Sequence, residues 1–388
     1  MNKGQSCSML IDKEVNSNPM SIANGFNNYF SSIAQNLQEN INTTGSNFSD
    51  YLKNPSENSF FFEPVDSEEI IFIIDSIDGC KASGPHSIPT DILKMINCNI
   101  GLPLREIINM SFEKGVYPNN LKTAKINPIY KNKGDPLQFK NYRPISLLSN
   151  INKIFEKLVY KRLYSFLNTY NSIYELQFGF RAKHSTNHAL INLTEMVREA
   201  LDSGKFAGGI FVDLQKAFDT VDHEILLNKL EHYGIRGIAN KWFRSYLTDR
   251  HQFTNINGSN SQYELMKFGV PQGSVLGPLL FLIYINDLHT AIKFSVVHHF
   301  ADDTNLLLSN YSIKKLQKQI NLDLKALCKW LRANKISLNA SKTELLIFRH
   351  PNKKIDFDLK IKVNGKKIFP SLYVKYLGVY IDCHLNWK

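Results

Sequence analysis

The chain has 388 residues, 43% of them hydrophobic and 21% charged, which excludes a wholly disordered chain, a collagen and a small disulfide scaffold. Its net charge of +11 is unevenly spread: residues 1–80 hold 3 basic and 11 acidic side chains, leaving 43 and 24 for the remainder. A body of +19 behind a lead-in of −8 points to a polyanionic partner, although such a charge also serves solubility alone.

In chain order, Ser21 to Leu37 places Ile22, Phe26, Phe30, Ile33 and Leu37 on one helical face. Asn40 to Asn58 reads as a polar linker. Glu68 to Ile77 predicts a helix, its β-branched content leaving a strand open. Gly84-Pro85 and Ile88-Pro89 separate it from a helix over Asp91–Met95, and helices follow over Arg105–Glu113 and Ile151–Tyr164. Ile126–Tyr130 reads as a strand, followed by a basic turn, Lys131-Asn-Lys-Gly-Asp135. Thr186–Asp202 is helical, and Gly208–Asp213 is a strand running into a turn. Val275–Ile285 is the most apolar stretch; interrupted by Pro278, it is too short to span a bilayer and predicts a buried helix. Val296–Phe300 and Thr304–Leu308 predict a hairpin, and Leu316, Ile320, Leu324 and Leu327 mark a helix over Ile313–Arg332. Strands over Glu344–Phe348 and Val374–Tyr380 complete an α+β pattern, a sheet covered by helices. The length suits two or three domains. Five scattered cysteines (Cys7, Cys80, Cys98, Cys328, Cys383) form no CxxC pair and read as reduced thiols of an intracellular protein. The first residues lack the apolar core of a signal peptide.

Four elements carry candidate chemistry. Asp213 ends an apolar strand, where a carboxylate serves either as a metal or acid–base group or as a plain helix N-cap. Asp302-Asp303 between two apolar strands is either a solvated turn or an acidic pair. Beside the Asp213 strand these carboxylates would repel and need cations, and hard oxygen ligands select Mg²⁺. Two such ions about 4 Å apart can activate a 3′-hydroxyl and stabilise a leaving pyrophosphate. Gly269-Val-Pro-Gln-Gly-Ser-Val-Leu-Gly-Pro278 reads as a turn or as a loop allowing close backbone approach to a ligand, with Gln272 supplying donor and acceptor. Lys131, Lys133 and Arg143 are a solvated cluster or a phosphate grip.

Taken together, Phe211-Val-Asp-Leu-Gln-Lys-Ala-Phe-Asp-Thr-Val-Asp-His223, the Gly269–Leu288 stretch and Phe300-Ala-Asp-Asp-Thr304 resemble the core of a reverse transcriptase of the non-LTR, LINE-type retrotransposons, near the jockey and RTE-like elements. Ala23–Phe30 and Gly84–Pro89 resemble stretches ahead of the fingers, Tyr142–Ser149 and Gln177–Arg181 fingers motifs, and Leu338–Thr343 and Tyr376–Val379 the last palm motifs. The resemblance implies a right-hand polymerase: an acidic extension over 1–80, fingers over 81–205, and a palm over 206–388 built as an antiparallel sheet on helices. The thumb would be absent and the chain a fragment.

It further implies that Asp213 and Asp302, with Asp303 as third acid, bind two Mg²⁺ ions, for which Mn²⁺ could substitute. Phe218 would be the gate against a ribose 2′-OH, Gln272 would line the nucleotide pocket, and Arg143 and Lys131 would hold the triphosphate. Lys342 would protonate the departing pyrophosphate. The reaction implied is attack of a primer 3′-OH on a dNTP, with an RNA template and a DNA primer in a basic cleft. Element RNA would be the natural template, and the work would be done inside the cell, at nuclear integration sites, with no membrane involved. His86 stands where the family usually has an acid, and Phe300 where Tyr is commoner. Two alternatives stay open: a decayed, catalytically dead retroelement remnant that retains nucleic-acid binding, and a group II intron maturase or telomerase-like polymerase.

Overall fold

Two five-stranded mixed sheets organise the chain, with helices packed on both. The structure is a computed structural model describing residues 8–39, 41, 45–79, 82–85, 87–355 and 359–386; Cys7, Cys80 and His86, singled out above, lie outside them. Cys98, Cys328 and Cys383 carry free thiols. Among the described residues no helix is long and apolar enough to cross a membrane. The chain separates into two compact units, Met1–Glu39 with Pro55–Tyr170 and Phe218–Leu280, and Asn40–Asn54 with Asn171–Ala217 and Phe281–Lys388. The α+β class expected from the sequence is the class observed.

In the first unit the strand Thr123–Tyr130 lies between Tyr142–Leu147, antiparallel, and Arg250–Ile256, parallel. Helix Pro19–Glu39 covers this sheet because Ile22, Phe26, Phe30 and Ile33 recur at helical spacing; they share a core with Ala124, Ile126, Tyr142 and Leu148. The segment whose β-branched residues left a strand open is a helix, Ser67–Asp75. Asp66 caps it by accepting from the Glu69 N–H at 2.7 Å, and Ile70, Ile73 and Ile74 are buried. Two helices not read from the sequence, His223–His232 and Gly237–Leu247, complete the unit. The second of these sets Trp242 and Tyr246 into an aromatic cluster with Phe62, Phe112 and Tyr117.

In the second unit the strand order is Pro370–Ser371, Glu344–Phe348, Phe206–Val212, Asp303–Asn310, Val296–Phe300. All pairings are antiparallel except the short outer one, which is parallel. Phe206–Val212 is buried at every position because both faces of the sheet are covered. Ala207 and Phe211 meet Leu193 and Val197 of helix Thr186–Asp202, together with Val374 and Tyr376. On the opposite face Ile320 of helix Ile313–Ala333 packs over Gly208. The stretch expected as one strand over Val374–Tyr380 is instead a hairpin, Tyr373–Tyr376 with Val379–Asp382. Leu377 and Gly378 turn the chain with φ of 47° and 88°.

Candidate active site

The acidic turn is built by the hairpin expected from the sequence, its second strand starting one residue earlier and ending two later than the expected Thr304–Leu308. Val296–Phe300 and Asp303–Asn310 pair with Phe300 opposite Asp303, so Ala301 and Asp302 alone make the turn. Ala301 has φ +57°, a left-handed conformation costly for a residue with a Cβ, so neighbouring groups must hold it. Gln177, 2% exposed, supplies that hold: its Oε1 accepts from the Ala301 N–H at 3.1 Å and from the Gly179 N–H at 2.8 Å. Gly179 sits so near that a Cβ there would collide with the Ala301 backbone nitrogen. Gln177 and Gly179 are therefore positioning residues for the acidic turn, a role the sequence did not disclose.

Asp213 follows the central strand, next to the register Thr304–Val212. Its backbone carbonyl accepts from the Asn339 N–H at 2.9 Å, and its Oδ2 accepts from the Asn339 side-chain amide at 2.7 Å. The Lys342 ammonium stands 3.8 Å from the same oxygen. Burial pushes the Asp303 carboxyl up to about 6, helped by the charges of Asp302 and then Asp213. Asp213, Asp302, Asp303 and Lys342 thus share one neighbourhood.

The metal expectation does not survive this geometry. Among the described residues no group of three or more His, Cys, Asp or Glu side chains is gathered so as to hold a metal ion. The expected two-Mg²⁺ centre on Asp213, Asp302 and Asp303, its Mn²⁺ variant, and the two-metal nucleotidyl transfer built on it are corrected accordingly. At Asp213 one carboxylate oxygen, Oδ2, is already engaged by the Asn339 amide at 2.7 Å, with the Lys342 ammonium 3.8 Å from the same oxygen. Burial, then the nearby Asp302 and Asp213, raise the Asp303 pKa without forming a ligand set.

The other predicted residues lie in the first unit. The Gln272 backbone carbonyl accepts from the Ser146 N–H at 2.7 Å, and its side-chain amide donates to Asp219 Oδ1 at 2.6 Å. The loop before it lies directly on the Phe218–Val221 backbone. Val270 N–H donates to the Phe218 carbonyl at 2.9 Å, and Gly269, with φ +82°, has the Asp219 carbonyl 2.7 Å from where a Cβ would be. Phe218 is half-buried beside this loop. The cavity lined by Ser146, Asp219 and Gln272 measures about 30 Å³, the scale of a water molecule. Arg143 is exposed opposite Ile129, and the Lys131 ammonium donates to the Lys140 carbonyl at 2.8 Å, closing the basic turn. Asp219, which clamps Gln272, was missed; its place next to Phe218 was the only signal.

Comparison with known proteins adds lineage to this geometry. Residues 129–381 match the family profile "Reverse transcriptase (RNA-dependent DNA polymerase)". The chain is 31% identical, over 87% of its length and 38% of the relative, to a "Probable RNA-directed DNA polymerase from transposon BS" of Drosophila melanogaster. It is 29% identical, over 87% of its length and 37% of the relative, to the "RNA-directed DNA polymerase from mobile element jockey" of the same fly. A 24% likeness covers 73% of the chain and 39% of the "Retrovirus-related Pol polyprotein from type-1 retrotransposable element R2" of Popillia japonica. The chain thus spans well under half the length of these curated relatives.

Proposed function

Since the chain belongs to the reverse transcriptase (RNA-dependent DNA polymerase) family, as a domain homologous to those of non-LTR retrotransposons, we propose that it is a nucleic-acid-binding retroelement domain that no longer performs nucleotidyl transfer. The observation carrying this reading is the acidic neighbourhood, where Asp213 is engaged by Asn339, with Lys342 3.8 Å away, and no metal-ligand group forms among the described residues. The binding half of the reading is supported by the body's 43 basic against 24 acidic side chains, a surplus suited to phosphate backbones.

In this reading residues 81–205 are fingers and 206–388 palm, and the partner is element RNA, alone or paired with a DNA strand. Arg143 and Lys131, at the exposed end of their strand pair, contact phosphates. Phe218 and Gln272 face the sugar and base of a nucleotide at the strand end. Homology with polymerases explains the surviving motifs, and the engaged carboxylate explains why they bind without reacting.

Two assays on the intact chain test this. Binding of a labelled RNA–DNA hybrid should weaken steeply between about 50 and 200 mM salt, as counterion release requires. Primer extension on an RNA template with Mg²⁺ and dNTPs should not exceed that of Asp302→Asn. Mg²⁺-dependent extension lost in Asp302→Asn would overturn the non-catalytic reading. Binding insensitive to salt would overturn the other half.

A further inference from the structure

Helix Ile313–Ala333 carries six cations, Lys314, Lys315, Lys318, Lys325, Lys329 and Arg332, and a single acid, Asp323. That acid is 1% exposed. Its carboxylate accepts from the backbone N–H groups of Lys293, Phe294 and Ser295 and from the Ser295 hydroxyl, at 2.6 to 3.2 Å. The outer surface of the helix therefore presents cations with no anion among them. At 100° per residue, Lys314, Lys318, Lys325, Lys329 and Arg332 fall within a sector of about 60°, and the stripe runs about 27 Å along the axis. The buried residues Leu316, Ile320, Leu324, Leu327 and Leu331 lie on the opposite side, toward the sheet.

A second element widens the stripe. The hairpin Ile361–Val363 with Lys366–Ile368 is fastened to this helix through its polar border. Gln317 Oε1 accepts from the Lys360 N–H at 2.9 Å, Asn321 Oδ1 from the Lys362 N–H at 3.1 Å, and Arg332 donates to Asn364 Oδ1 at 3.1 Å. Lys360, Lys362, Lys366 and Lys367 are all exposed on it. Among the described residues no carboxylate stands in ion-pair contact with Lys318, Lys325 or Lys329.

Solubility does not call for such an arrangement, because mixed signs serve it as well. Lys314–Lys318 and Lys325–Lys329 are like charges at i,i+4, which weaken a helix rather than support it. A linear polyanion lying along the stripe would reverse that repulsion. We infer that the Lys314–Arg332 face and its attached hairpin form a further nucleic-acid surface, a track for the phosphates of a single RNA strand. The inference rests on the nucleic-acid-binding reading above and locates where the RNA lies.

The test uses the whole chain, a labelled 20-nucleotide RNA, and the triple variant Lys318→Ala, Lys325→Ala, Lys329→Ala. Each residue that meets a phosphate should contribute about 0.7 to the salt slope, so the slope should drop by about 2 and affinity at moderate salt by tenfold or more. Protection of Lys318, Lys325 and Lys329 of the wild type from acetylation by bound RNA gives a readout independent of the variant's folding. Wild-type binding with an unchanged slope in the variant and no protection would overturn the track while leaving nucleic-acid binding intact. No salt-dependent binding by the wild type would overturn both. Equal protection by anionic phosphatidylserine vesicles without RNA would reassign the face to membranes and overturn it as an RNA track.

Discussion

Each unit places a carboxylate beside a loop implicated in function, and the two are treated differently. Glu156, on helix Asn150–Thr169 of the first unit, is 0% exposed. One oxygen accepts from the Tyr246 hydroxyl at 2.6 Å and the other from the Val275 N–H at 2.6 Å, and the Arg250 guanidinium adds its charge. Burial pushes its pKa up, and these partners pull it back. Asp213, in the second unit, is partly open to solvent, and its amide and ammonium partners converge on one oxygen. A buried carboxylate with both oxygens answered is a clamp: Glu156 ties its helix to the start of helix Leu276–Ile285 and so fixes the Gln272 loop. A half-exposed carboxylate among other acids stabilises little, and its effect is on the charge of its neighbours.

If Glu156 is a clamp, Glu156→Leu strands the Tyr246 hydroxyl and the Val275 N–H in the core and should cost about 3–5 kcal/mol in urea unfolding. Glu156→Gln, which keeps an acceptor and the volume, should cost about half of that. A loss below about 1 kcal/mol for Glu156→Leu would break the distinction from Asp213. In the second unit the corresponding mechanical part is Gly179, not a carboxylate. Gly179→Ala drives a methyl into the Ala301 backbone and should cost about 1–3 kcal/mol. Amide exchange should show the loss concentrated in the hairpin Val296–Asn310.

The contrast also explains what could be read from sequence. The hairpin Val296–Leu308 and helix Ile313–Ala333 were legible because apolar periodicity sets them and local caps end them; Ser312 caps the helix. Strand Arg250–Ile256 was not legible. It buries Arg250, Gln252 and Thr254 alongside Phe253 and Ile256, a mixed pattern that shows no clean alternation; Arg250 donates to the Tyr246 carbonyl at 3.1 Å and Gln252 to Asn27 Oδ1 at 3.1 Å. Helix Gly237–Leu247 was not read either: Ala239, Trp242, Phe243 and Tyr246 recur at helical spacing, but a glycine start and a first turn without a side-chain cap left its beginning unmarked. At the site, the four residues of the acidic neighbourhood were readable as types. The Asn339 amide on Asp213, 126 residues away in sequence, was not, and it changes the reading from metal ligand to engaged carboxylate.

Acid should act on the second unit through its histidines. Burial brings His298 down to about 4, and burial with the neighbouring histidines brings His299 down to about 3. Both lie below the free value near 6.5, so the unfolded chain binds the extra protons. The stability is fully present above pH 6.5 and is lost as pH falls from there through the folded values. Each histidine should remove about 1 kcal/mol between pH 6.5 and 5.5, measured by urea unfolding across that window. A flat profile there would show that these rings are solvated in the fold.

The smallest effect expected on stability comes from Asp213→Asn. The variant loses the 3.8 Å approach of Lys342, whose side chain is largely in solvent, so unfolding free energy should move by less than about 1 kcal/mol in either direction. The larger change should fall on the neighbour. Asp303 is held up at about 6 by burial, then by Asp302, then by Asp213, so removing the last charge should lower its midpoint while the first two causes keep it above an ordinary carboxyl. Carboxyl-resolved NMR titration reads this directly. A midpoint that does not move would mean that burial and Asp302 alone hold Asp303 up. A stability loss matching that of Glu156→Leu would mean the strand-end carboxylate is a clamp after all, and the difference between the two units would disappear.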